Sequence, residues 1–312
     1  MSFIQPIILS TAFQQSSNHQ YTLDIYRGDL EYPNAPGNKW HKLRHHLKAA
    51  EQQNASVIAT FGGPFSNHLH AFGATLRHLP FKAVAIVRGE LQSQLTPTLR
   101  DMADDGVELW PSTRSDYRRG IESEIVGKIN QRYGSVYWIP EGGGGALGAK
   151  GCHDWANDIS AMDDKYDAWV VSSGTGTTAA GLLSNIHAPD LHVFSALKGE
   201  PAQRGLILDL ANQLTAESIL SAELGVKLFF HSDCHEGGFA KQSPALNAFM
   251  REFADVNPNH PLDPIYTSKS MFAVFKAMKE GSWPYRRTLF IHTGGLQGWR
   301  GYSNHTNPFA CS

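Results

Sequence analysis

For most of its length this chain alternates short runs of β-branched and aliphatic residues with helix-forming stretches, and no other feature narrows its possible folds as far. Strands are expected at 22–30, 56–61, 83–87, 107–110 and 136–139, and again at 168–171, 192–196, 227–230 and 288–292. Helices are expected between them, among them 44–53, a segment ending at 78, 98–105, 121–132 and 147–162. Such strand–helix units lay their strands parallel, because each helix carries the chain back across the sheet. The expected class is α/β: two doubly wound parallel-sheet domains with the active site between them. No internal repeat or low-complexity linker interrupts the pattern, and Gly142-Gly143-Gly144-Gly145 is a reasonable domain joint.

Composition excludes several classes. A chain of 312 residues, 41% hydrophobic and 18% charged, is an ordinary globular protein able to bury a large core. Its net charge of −2 and pI near 6.7 give no electrostatic reason to expect nucleic acid or an anionic membrane as a partner. No apolar run approaches the ~20 residues of a membrane span, and Met1 to Gln5 lack the basic start and apolar core of a signal peptide. Cys152, Cys234 and Cys311 are too few and too scattered for a disulfide framework. They suit a reducing compartment, so a cytoplasmic location is expected.

Doubly wound folds bind ligands beyond the carboxyl ends of their strands, where glycine-rich turns lead into helices. Four stretches end that way: Phe61-Gly62-Gly63-Pro64-Phe65-Ser66-Asn67-His68, the tetraglycine tract, Ser172-Ser173-Gly174-Thr175-Gly176-Thr177-Thr178 and His292-Thr293-Gly294-Gly295. The third is the strongest, since free N–H groups and small hydroxyls there can converge on one anion such as phosphate. Gly174 to Ala179 also satisfies the dinucleotide pattern G-x-G-x-x-A, which keeps a nicotinamide-dependent oxidoreductase as an alternative. That pattern wants an acidic residue about 20 positions on. Here the next strand ends Phe194-Ser195-Ala196-Leu197-Lys198, with no carboxylate before Glu200. A turn that binds nothing is the plain alternative.

Ser66 and Asn67 read as well as helix caps as they do as site residues, but Gly62-Gly63 before them lets a ligand approach the backbone. His68 and His70 have no third ligand cluster, so no metal is expected. His45 and His46 read as surface helix residues. Upstream, the turn signal Pro33 to Gly37 runs into Lys39 and Lys42, three apart on one face of a helix start. Cations disfavour that end of a helix. Two ammonium groups there point to anion binding.

Taken in order, Gly37-Asn38-Lys39 with Lys42-Leu43, Gly62-Gly63 before Ser66-Asn67-His68, Ser173 to Thr178, Asp263-Pro264-Ile265-Tyr266 and His292-Thr293-Gly294-Gly295 resemble the 1-aminocyclopropane-1-carboxylate (ACC) deaminase and D-cysteine desulfhydrase family. The resemblance spans roughly residues 20–302. It implies pyridoxal 5'-phosphate (PLP) as cofactor, the tryptophan synthase β-like fold (fold type II) and a homodimer. It divides the chain into a large PLP-binding domain, 1–47 plus 150–312, and a small α/β domain, 48–149. By the same resemblance Lys39 carries the cofactor as a Schiff base and acts as catalytic base, while Lys42 reaches its phosphate. Gly174, Thr175, Gly176, Thr177 and Thr178 cradle that phosphate, and Asn67 bonds the phenolic oxygen. Ser66, Asn67 and His68 hold the substrate, Ser66 doubling as a proton shuttle, and Tyr266 stands over it.

Two positions depart from the ACC deaminases. Thr267 follows Tyr266 where they carry a glutamate that keeps the pyridine nitrogen protonated, so Thr267 is expected against a neutral ring. A second tyrosine of theirs falls near Gly237 in Glu236-Gly237-Gly238-Phe239 and is missing. Both changes favour β-elimination from D-cysteine or a similar small amino acid, giving pyruvate, ammonia and sulfide. ACC deamination is the alternative.

Overall fold

A computed structural model describes residues 2–10, 13, 20–91, 93–163, 165–199, 202–215, 221–302 and 306–310; Glu200 and Cys311 lie outside the described residues. In chain order the elements begin with β1 (Ile4–Pro6), β2 (Thr22–Tyr26), α1 (Asn38–Gln52), β3 (Val57–Gly62), α2 (Asn67–Leu76), β4 (Lys82–Arg88), α3 (Pro97–Asp104) and β5 (Glu108–Ser112). They continue with α4 (Arg114–Tyr117), α5 (Glu124–Tyr133), β6 (Val136–Trp138), α6 (Gly145–Met162), β7 (Ala168–Ser173), α7 (Thr177–Leu183) and β8 (Asp190–Ser195). Then come α8 (Gln203–Asn212), α9 (Ser221–Lys227), β9 (Leu228–His231), α10 (Pro244–Val256), α11 (Thr267–Lys279) and β10 (Arg287–Ile291).

The strands form two sheets, ordered β5-β4-β3-β6 and β1-β2-β10-β7-β8-β9. All pairs are parallel except β1 with β2. The fold is thus the expected α/β class, with one antiparallel edge strand that the sequence pattern did not announce. β1 has three residues, one of them Pro6, and shows no alternation; proline is tolerated only at such an edge. β3 is buried at all six positions and β4 at its five central ones, as strands covered on both faces must be. The first expected strand stops at Tyr26 and a 3₁₀ turn, Gly28–Leu30, follows. The buried Arg27 guanidinium grips Asp29 through two bonds of 2.8 and 2.7 Å, which folds the chain back on itself.

Each sheet reverses its strand order once near the site. In the smaller sheet β4 and β5 lie to one side of β3 and β6 to the other; in the larger, β8 and β9 lie to one side of β7 and β10 to the other. The carboxyl ends flanking each reversal leave a crevice, since the chain departs in opposite directions there. α1 joins the two halves. Its start docks on the larger sheet: Gly37, at φ +75°, lies so close to Thr293 that a Cβ would sit 2.1 Å from the carbonyl oxygen. Gly151 of α6 meets the His41 carbonyl at a similar range, 1.7 Å from where its Cβ would be. Further along α1, Leu43, Leu47 and Ala50 pack into the smaller sheet's core with Ile58, Leu69 and Ala85.

Candidate functional site

The two crevices share one space, and α1 supplies its cations. Lys39 Nζ donates to Asn38 Oδ1 at 2.7 Å, and Asn38 Nδ2 donates to Thr178 Oγ1 at 2.8 Å, which ties the helix start to the β7–α7 loop. Lys42, 3% exposed, donates to the Gly142 carbonyl at 3.2 Å and lies 3.5 Å from Thr175 Oγ1. Burial pushes the Lys39 ammonium down to about 7, and the Lys42 charge adds to the effect. Burial lowers Lys42 as well. Among the described residues no carboxylate forms an ion pair with either lysine. A buried ammonium group and a half-buried one, with no carboxylate paired to either, suit the binding of an anion.

Opposite them lies the loop after β7. Thr175 and Thr177 hydroxyls are 3.2 Å apart, and the Gln203 side chain holds the Gly174 carbonyl. Gly176, at φ +82°, caps α7. Ser173 Oγ is buried with no hydrogen-bond partner, and so is His68 Nδ1 on the smaller sheet's side. His68 is 1% exposed and its tautomer is fixed by its surroundings. Thr60 Oγ1 donates to the Ile139 carbonyl at 2.9 Å, so His68 Nε2 must donate to Thr60, at 2.8 Å. Burial, then the nearby Lys39 and Lys42, hold His68 neutral, well below its ordinary range. Its bare Nδ1 is left as an acceptor beside Gly143, 3.5 Å from where a Cβ on that glycine would lie.

Ser66 is the N-cap of α2, its Oγ accepting from Leu69 N–H at 3.3 Å, which leaves its own proton free to donate. Asn67 Oδ1 accepts from Gln297 Nε2 at 2.9 Å, so its NH₂ group is the end left for a ligand. The Tyr266 ring lies across the β7–α7 loop, 3.2 Å from where a Gly174 Cβ would be, with Phe239 edge-on at 6.2 Å. Thr267 is fully buried against Asp263. Lys269, also buried, fixes the turn bearing Gly237 by donating to the His235 and Gly238 carbonyls at 2.8 and 2.7 Å.

The expected site residues, from four separated stretches (Lys39 and Lys42, Ser66 to His68, Gly174 to Thr178, Tyr266 and Thr267), therefore lie around one space. His46 differs from expectation. It is 4% exposed, bonded to Tyr137 Oη and the Gly144 carbonyl at 3.0 Å each, because α1 is covered on that face by the smaller domain. His45 is partly buried against Asp154 at 2.7 Å. Gln297, Asp263 and Thr60 were missed as site-forming residues: each acts through a partner distant in sequence or through a hydroxyl, and neither leaves a spacing signal. For the dinucleotide alternative, β8 ends at Ser195 and the described residues after it, Ala196 to Gly199, carry no carboxylate.

Relatives align along nearly the whole chain. A Thermotoga maritima protein provisionally named 1-aminocyclopropane-1-carboxylate deaminase is 29% identical over 301 residues, covering 92% of this chain and 93% of its own. The bifunctional D-cysteine desulfhydrase/1-aminocyclopropane-1-carboxylate deaminase of Arabidopsis thaliana is 26% identical, covering 88% of this chain and 72% of its own. The D-cysteine desulfhydrase of Salmonella paratyphi B is 25% identical, covering 90% and 89%. Along most of its length the chain is thus similar to proteins named ACC deaminase and D-cysteine desulfhydrase. No family model matches it. The fold is shared with a solved structure: the crystal structure of an ACC deaminase homologue, 23% identical, superposes with a TM-score of 0.80 over 97% of this chain and 92% of that one. A PLP-dependent aspartate racemase shares the fold more distantly, with a TM-score of 0.64 at 13% identity and coverage of 98% and 94%.

Proposed function

We propose that the chain is a PLP-dependent lyase that eliminates the β-substituent of a small amino acid, with D-cysteine as the substrate. One observation carries the cofactor assignment: half-buried Lys39 and buried Lys42 share one helix face with no counter-ion among the described residues, and Lys42 reaches the hydroxyl-lined loop after β7. That arrangement fits a cofactor that is both an aldehyde and a phosphate. Lys42 with Thr175, Thr177 and Thr178 would hold the phosphate; Asn67, turned by Gln297, would offer its NH₂ to the phenolic oxygen. Bound at Lys39, PLP supplies the electron sink for breaking a Cα–H bond.

This chain's residues do the rest. The free hydroxyl proton of Ser66 is placed to bind the substrate carboxylate. Once the substrate amine has taken its place, the freed Lys39 amine, with its pKa near 7, is largely neutral above that pH and would take the Cα proton at Nζ. The thiolate then leaves with the C–S bonding pair and needs no acid. Addition of water yields pyruvate and ammonia. Ring opening of ACC asks for a proton on carbon, and the turn at Gly237 brings Phe239, which has no hydroxyl, against Tyr266. That favours the desulfhydrase reading over the deaminase. Division into domains 1–47 plus 150–312 and 48–149, a homodimeric assembly and a cytoplasmic location belong to the same proposal. Among the described residues no helix is long and apolar enough to cross a membrane.

The test is a panel of D- and L-amino acids with ACC, assayed for keto acid and sulfide on protein reconstituted with PLP. Sulfide and pyruvate from D-cysteine are expected. Turnover of ACC without D-cysteine would overturn the substrate choice, and failure to take up PLP would overturn the whole reading.

A further inference from the structure

Thr267 and Asp263 are both fully buried, and their hydrogen bonds leave no freedom in where the hydroxyl proton points. Asp263 Oδ1 accepts from the N–H groups of Ile265 and Tyr266, both at 2.9 Å. Its Oδ2 accepts from Thr267 N–H at 2.7 Å and stands 2.6 Å from Thr267 Oγ1. Asp263 N–H in turn donates to Thr267 Oγ1 at 2.8 Å. A carboxylate only accepts, so the Thr267 hydroxyl must give its one proton to Asp263. Of its two lone pairs the Asp263 amide takes one. What Thr267 has left is a single lone pair and no donor.

The carboxylate behind it belongs to the site as well as to the start of α11. A Cβ on Gly295 would lie 3.4 Å from Asp263 Cβ and Cγ and 2.8 Å from Asn67 Nδ2, so the two side chains converge on one point of the β10 loop. The Asp263 charge also reaches Lys39 and Lys269, raising both against the effect of burial.

We propose that Thr267 is an acceptor toward the cofactor's ring nitrogen, and that Asp263, acting through it as a positioning residue, keeps that nitrogen protonated. This rests on the reading above, in which the site takes PLP with Thr267 against the ring. It reverses the expectation drawn from the sequence, where a threonine implied a neutral ring. A neutral pyridine nitrogen would face a lone pair with a lone pair, and one proton taken up from solvent converts that repulsion into an N–H···O bond. The negative charge needed to hold the proton sits one bond further back, on Asp263. Sequence alone hides this, because the carboxylate is four residues from the position where the ACC deaminases carry theirs.

The test is ¹⁵N NMR of the holoenzyme reconstituted with PLP labelled at the ring nitrogen. Wild type is expected to give the upfield signal of a protonated pyridine. In Asp263→Asn the new amide can donate to Thr267 Oγ1 and free its proton, so the signal is expected to move to the unprotonated position. Thr267→Val removes the acceptor and is expected to do the same, and it serves where Asp263→Asn does not fold. An unprotonated signal from bound label in the wild type overturns this inference and leaves the proposed function standing. Absence of any bound label overturns both.

Discussion

Gln297 donates its amide to Asn67 Oδ1 across 2.9 Å, joining the loop after β10 to the first residue of α2. That bond decides which end of the Asn67 amide faces the site. Gln297→Glu reverses it, because a carboxylate can only accept and would draw the Asn67 NH₂ toward itself. PLP affinity should fall about tenfold, or ~1.4 kcal/mol, as measured by equilibrium dialysis. Unchanged retention would show that Asn67 does not touch the cofactor.

Lys39→Ala should abolish turnover and borohydride-fixed attachment of PLP, with peptide mass spectrometry of the wild type placing the cofactor on Lys39. Label on Lys42 would exchange the two roles. The apo-protein carries a second signature. With the Lys39 pKa lowered to about 7 in the fold, the unfolded chain binds the extra proton between there and the ordinary lysine range. Stability therefore rises with pH across that window. The difference between wild type and Lys39→Met, followed by urea titration from pH 6 to 10, should grow in favour of the wild type.

Gly176→Val tests the cradle. The added side chain meets Ile207 Cγ1 at 2.9 Å on a backbone already at φ +82°, which a β-branched residue resists. PLP affinity should drop by more than tenfold, or ~1.4 kcal/mol. Retention of cofactor on dialysis would mean that this loop is a plain structural turn.

On strands β8 and β9 the larger sheet pairs a buried histidine, His192, with a half-buried one, His231. His192 Nδ1 and His231 Nε2 are 3.0 Å apart, with His192 stacked on Phe229 and packed against Trp283. Burial, then the other imidazole, pushes His192 down to about 3, and burial lowers His231. The unfolded chain takes up protons first as pH falls below the ordinary histidine range, so stability is lost from there toward pH 3. His192→Phe should flatten that loss, seen as a smaller drop in Tm between pH 7 and pH 4.5.

Much of the fold was legible because strands buried on both faces leave continuous apolar runs, as in Val57 to Phe61 and Ala83 to Val87. β1 was not, since three residues at a sheet edge carry no period. The lysines and the glycine-rich strand ends stood out because an anion site of the kind proposed needs those residue types, and the structure sets Lys42 beside Gly142 and Thr175. His46 misled because polarity was taken as exposure, whereas its two ring nitrogens are both satisfied inside by Tyr137 and Gly144. Thr267 could not be read in full from the sequence, because a hydroxyl's role depends on where its proton goes, and only the position of Asp263 shows that.

The docking of α1 fastens the two halves at one point. Its first turn is bonded to the larger sheet through Asn38 and Thr178, while Leu43, Leu47 and Ala50 belong to the other core. The Gln297–Asn67 bond makes a second tie across the same crevice, from the loop after β10 to the start of α2. Lys39 and Asn67 are thus each anchored, directly or through a neighbour, to loops of the larger sheet, so a substitution that loosens one tie leaves the other to hold the two walls in register.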